Sequence, residues 1–158
     1  MKDSTILALS ASMGALAGIR SIVPPAILSH AASRNLLNLR GTPLSHLRRS
    51  PAVKIATALA IAELVVDKFS FMPSRLHPGA LAGRAASGAL CGAAIAAAER
   101  GPVIAAAAIG AGAAIGGSYA GYHLRKLLDR KLPDPVSAII GDAVTVASGA
   151  AIVDRLAA

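Results

Sequence analysis

The sequence predicts an all-α fold, a polytopic membrane helix bundle of four to five transmembrane helices packed through small residues (GxxxG). Three observations predict it. Hydrophobic residues make up 54% of the 158 and charged residues only 15%, against about 25% charged in ordinary globular domains. The mean hydropathy is +0.60. The charges cluster between apolar runs of roughly 20 residues, enough helix to span about 30 Å of hydrocarbon. The apolar mass is largely Ala, Gly, Ile, Leu and Val, with 3% aromatics and no Trp. Lipid offers no hydrophobic drive between helices, so close backbone packing through small residues must supply the attraction.

The chain reads as one transmembrane domain over 1–158. The first run, about 4–23, fits a bilayer crossing, with Pro24-Pro25 expected to stop it because neither ring can continue the hydrogen-bond ladder. Its start lacks the basic region of a signal peptide, so it is expected to be retained. The stretch 26–50 is basic and mixed. There Leu36, Leu37 and Leu39 interleave with Arg34, Asn35, Asn38 and Arg40, which suggests a short amphipathic helix in the membrane interface followed by a loop. Ser50-Pro51 is a helix start, opening a second segment at about 52–70. Lys54, Glu63, Asp67 and Lys68 interrupt that segment, so it crosses at a tilt or lies partly in the interface. Three more segments follow at about 80–98, 103–122 and 136–153, the last opened by Pro133-Asp134-Pro135.

The net charge is +8. Nucleic acid is not the expected partner, because the basic residues sit in short loops without aromatics to stack bases. The lipid bilayer is. Between Asp3 and Glu63 no acid occurs, while Arg20, Arg34, Arg40, Arg48, Arg49 and Lys54 do. The positive-inside rule then favours a four-span scheme in which everything from Arg20 to Arg84 is cytoplasmic and both termini are outside. Five spans follow if the second segment crosses. The single Cys91 excludes an internal disulfide. No metal or cofactor motif appears, and no hydroxyl has a visible base, so an enzyme is not expected.

The recurring pattern is glycine four residues from glycine: Gly14/Gly18, Gly79/Gly83, Gly88/Gly92, Gly112/Gly116 and Gly117/Gly121. Each pair places a groove for another backbone on one helix face. Gly14–Arg20 and Gly79–Arg84 also echo each other, either as a duplicated unit or as chance in an Ala/Gly-rich chain. The last segment aligns Gly141, Asp142, Thr145, Ser148 and Gly149 on one side. Asp142 within an apolar run is expensive unless paired or hydrated, so it marks either a pathway or a structural pair with an arginine. Glu63 and Asp67 share one face and are either cation- or proton-handling groups or partners of Lys68, Arg75 or Arg84. Arg20 and Arg84, near helix ends, either snorkel, pair, or contact an anion.

Taken in order, Gly18-x-Arg20-Ser21 followed by Pro24, Glu63 with Asp67-Lys68, and AGYHLRK leading into LPDP with an Asp in the final helix resemble one family. It is the bacterial small membrane proteins catalogued as domain of unknown function 4126, over about residues 8–153. The resemblance implies a multi-helix membrane protein of the bacterial inner membrane. It brings no established activity, and its recurring charged positions fall here on Arg20, Glu63, Asp67, Arg84 and Asp142. The expectation is a small transporter or channel, acting as a homo-oligomer, for an ion or small solute. Its pathway residues are Asp142, Thr145, Glu63 and Asp67, with Arg20 and Arg84 as pairing or anion contacts. The alternative is a non-catalytic scaffold or lipid-interacting protein.

Overall fold

The computed structural model describes residues 1–66, 77–128 and 134–157, without the side chains of 125, 128 and 134–138. All regular structure among these residues is helical: α1 (Asp3–Ile19), α2 (Val23–Ser33), a 3-10 helix (Pro43–Arg48), α3 (Ser50–Val66), α4 (Pro78–Ala98), α5 (Val103–Leu128) and α6 (Asp134–Ala157). Two of these helices are long and apolar enough to cross a membrane, over Pro78–Ala98 and Val103–Leu124. The helix α1 is equally apolar but shorter.

Pro24-Pro25 does not end the first helix. The helix α1 stops at Ile19, Arg20 is extended, and the two prolines fall in the first turn of α2. A first turn tolerates proline because its N–H groups have no intrahelical partner. The prolines therefore start a returning helix instead of terminating a crossing. The helix α2 closes on Asn35, whose φ of 60° is left-handed. Leu36 N–H reaches the Ala31 carbonyl at 2.9 Å and Asn35 N–H reaches Ala32 at 3.2 Å, the paired bonds of a Schellman cap.

Leu37 and Leu39, expected on an amphipathic helix, lie instead in the turns after α2 and are buried, at 3% and 0% exposed. A tight turn, closed by the Leu39 N–H on the Leu37 carbonyl at 3.1 Å, aims both leucines into the core and leaves Leu36 exposed. The residues around 41–44 lie beside Ala97, Arg100 and Gly101 at the turn between α4 and α5. The N-terminal ammonium sits at the same end, 3.4 Å from Glu99. The four-span scheme separated this segment from the termini, and the helix directions do not match it.

The helices α1, α4 and α5 form a close-packed trio. The helix α4 runs antiparallel to α1: the Ser10 hydroxyl meets the Gly92 carbonyl at 3.5 Å, and the Ser87 hydroxyl donates to the Ser21 carbonyl. The helix α5 runs parallel to α1, with the Ser118 hydroxyl 3.1 Å from the Gly18 carbonyl. A Cβ placed on Gly14 would lie 2.8 Å from the Gly110 Cα, and one on Gly88 would lie 2.7 Å from the Ala114 Cβ. Gly18, Gly92 and Gly117 are equally close to a facing backbone. Gly79 and Gly121 meet only ordinary contacts, and Gly83, Gly112 and Gly116 face open space. The Gly14–Arg20 and Gly79–Arg84 echoes thus occupy different settings, one inside the seam and one outside it.

The seam of α5 is Ala106, Gly110, Ala114 and Ser118, small residues at every fourth position. Of these, Ala106, Ala114 and Ser118 are at most 1% exposed. The glycine pairs missed that row, because alanine and serine serve in it as well as glycine does.

The helix α2 lies antiparallel to α3, with His30 Nε2 2.8 Å from the Thr57 hydroxyl. The helix α6 runs alongside α2, and a Cβ on Gly149 would lie 2.6 Å from the Ile27 Cδ1. The core joins Ile6, Leu9, Met13 and Leu16 to Leu28, Leu37, Leu39, Ile95 and Ile152.

Candidate functional site

The chain break between α1 and α2 creates the polar centre of an otherwise apolar bundle. Ser21 and Ile22 fall outside the regular ladder, so their N–H groups need partners. Pro24 and Pro25 carry no N–H, which removes two further donors from this helix start. Glu63, on α3, supplies both acceptors: Ser21 N–H donates to its Oε1 at 2.6 Å and Ile22 N–H to its Oε2 at 2.9 Å. A carboxylate here also faces the positive end of the α2 dipole. Glu63 thus accepts from backbone N–H groups, partners that the sequence did not suggest, while Lys68 and Arg75, two of its candidate partners, lie outside the described residues. Nothing local in a sequence marks a backbone N–H forty residues away as an acceptor's target.

Arg20, at the break itself, is 4% exposed and forms an ion pair with Asp142 of α6, which is 16% exposed. Of the two readings open for Asp142, the arginine of a neighbouring helix is present. Burial of either charge alone would be costly, and the pair neutralises both. Thr145, one turn further along α6, is fully buried, and its hydroxyl donates back to the Gly141 carbonyl at 2.8 Å. Arg84 is buried on α4, one turn before Ser87, whose hydroxyl reaches the carbonyl of Ser21. Asp67 lies outside the described residues.

The structure therefore gathers Arg20, Glu63 and Asp142 around one backbone break, with Ser21 and Ser87 as members that sequence reasoning missed. A serine beside a helix break was the available signal for Ser21. Ser87 carried none, because one hydroxyl in an Ala/Gly-rich helix is unremarkable until a carbonyl faces it. Among the described residues no group of three His, Cys, Asp or Glu is placed to hold a metal ion. Chemically, the cluster holds two carboxylates against one guanidinium and one helix terminus, at the level where α1 gives way to α2.

The family model described as "Domain of unknown function (DUF4126)" matches residues 7–158. The chain belongs to this family. No curated protein and no solved structure matches it. For this DUF4126 chain, the site described above is the starting point for function.

Proposed function

We propose that this DUF4126 chain is a multi-pass protein of the bacterial inner membrane that carries an ion or small solute across it. The observation behind this reading is the buried charge cluster at a broken helix. Ionisable groups inside a membrane bundle are expensive and mark ion or solute routes. Discontinuous helices in transporters use their exposed termini to hold ions and anionic groups. An incoming anion would compete with Glu63 for the start of α2, and a cation or proton would compete with Arg20 for Asp142. Asp67, one turn after Glu63 in sequence, is given the same role on sequence grounds, and Thr145 borders the pair.

In this reading α1, α3, α4, α5 and α6 cross the bilayer and α2 returns through part of its thickness. The Met1 end, with its basic 34–49 segment, faces the cytoplasm. The protein acts as a homo-oligomer through the outer face of α5, where Gly112 and Gly116 leave room for a second backbone. The reading is tested in proteoliposomes. Wild-type protein should pass an ion or solute, and Asp142→Asn and Glu63→Gln should each lower that flux. Unchanged flux in both variants refutes the pathway.

One observation favours a second reading, a non-catalytic scaffold or lipid-interacting protein. Glu63 already accepts two backbone N–H groups, and Asp142 is already ion-paired with Arg20. Under that reading the same variants weaken the fold, and wild-type liposomes show no flux.

A further inference from the structure

A groove of about 400 Å³ runs along the side of the bundle, between α3 and α6 with α2 as its floor. Its walls are apolar: Val23, Ile27, Ala60, Leu64, Val146 and Ala150. Polar groups appear only toward one end, where His30, Thr57, Arg34 and Asp154 line it. From Val23 to Arg34 the floor extends about 16 Å at a helical rise of 1.5 Å per residue. That length is about half of a 30 Å hydrocarbon core, the depth of one lipid leaflet.

The polar end adjoins a second feature. Asn35, the residue after Arg34, holds two guanidinium groups on one amide oxygen, Arg40 at 3.2 Å and Arg48 at 3.1 Å. A neutral oxygen cannot neutralise two like charges, and among the described residues neither arginine has an ion pair. A space of about 320 Å³ is lined by Asn35, Leu37, Asn38, Arg40 and Arg48. Planar guanidiniums converging in this way match the oxygens of a phosphate. The single acid at the groove mouth, Asp154, leaves this end basic against Arg34, Arg40 and Arg48.

We propose that the groove and the arginine pair form one binding site for a membrane phospholipid with an anionic headgroup. One acyl chain lies on α2 between α3 and α6, and the headgroup phosphate rests on Arg34, Arg40 and Arg48. An apolar slot one leaflet deep with a basic mouth distinguishes this occupant from a second copy of the chain, which would bring the same basic charge to the same end. The site rests on the multi-span reading but not on transport.

The test is native mass spectrometry of the full chain in detergent. It is titrated with phosphatidylglycerol and, separately, with phosphatidylcholine of the same acyl chains. Phosphatidylglycerol should be retained at least about tenfold better, since each basic group near a headgroup contributes about a factor of five. Arg40→Gln with Arg48→Gln should remove most of that preference, lowering phosphatidylglycerol retention far more than that of zwitterionic phosphatidylcholine. Ala150→Phe, which fills the slot, should lower retention of both lipids. Equal retention of the two lipids by the wild type overturns the proposal, as does full phosphatidylglycerol preference in the arginine double variant. Retention of phosphatidylglycerol only by dimeric ions also overturns it. If Ala150→Phe fails to fold, the arginine variant decides, because its changes lie outside the core. Release of the chain from membranes by carbonate would refute the multi-span reading itself, which separates that failure from a failure of lipid selection.

Discussion

Alanine substituted at Gly110 and at Gly112, two residues apart on α5, makes one chemical change in two opposite settings. At Gly110 the new Cβ would lie 3.0 Å from the carbonyl carbon of Gly88 and closer still to its oxygen, with the Gly92 Cα at 3.5 Å. Backbone atoms cannot rotate aside, so α4 and α5 must part by roughly 1 Å to restore normal contact, a gap that forfeits a quarter to a half of each dispersion well it opens. Overpacking of this kind costs about 1–3 kcal/mol. Replacing a helical glycine with alanine returns about 1 kcal/mol. The net expectation for Gly110→Ala is therefore a destabilisation of up to about 2 kcal/mol. Nothing lies within 4 Å of a Cβ at Gly112, so Gly112→Ala keeps only the gain. The assay is reversible unfolding in mixed micelles, followed by far-ultraviolet circular dichroism as denaturing detergent is added. Opposite signs are expected. Equal shifts, or a more stable Gly110→Ala, would refute the seam as the element that holds the trio together.

Two further outcomes are expected. Arg20→Met should cost about 3–5 kcal/mol by stranding the Asp142 carboxylate, and adding Asp142→Leu should recover most of that loss. Additive losses in the same unfolding assay would show that the two charges do not act as a pair. In a Cys91→Ser background, single cysteines at Ser45 and Arg100 should react with an impermeant maleimide from one side of the membrane, and those at His77 and Lys126 from the other. Reaction of Ser45 and His77 from the same side would refute the alternating helix directions.

The helical class was legible because composition and run length are properties of whole segments, and those survive errors at their ends. The charged residues were legible for a related reason: Arg20, Glu63 and Asp142 each interrupt an apolar run and so declare a cost. Their partners were not legible. The Arg20–Asp142 pair joins the first and last helices, and Glu63 binds backbone groups that every residue carries. Pro24-Pro25 was read as a stop because a proline's effect depends on whether it falls in a helix's interior or its first turn, and the sequence alone leaves that open. The packing seam was half visible. Gly14, Gly18, Gly88 and Gly92 carry it, but Gly110 was invisible as a pair member, since alanines flank it at four residues' distance.

The ion pair at the α1–α2 break has a consequence for how the chain is made. Arg20 leaves the ribosome among the first residues and Asp142 among the last. During almost the whole of synthesis the guanidinium at the break has no counter-ion from α6. A chain stopped after α5 would lack the carboxylate that α6 brings to Arg20, which makes the last helix the one that completes this buried pair.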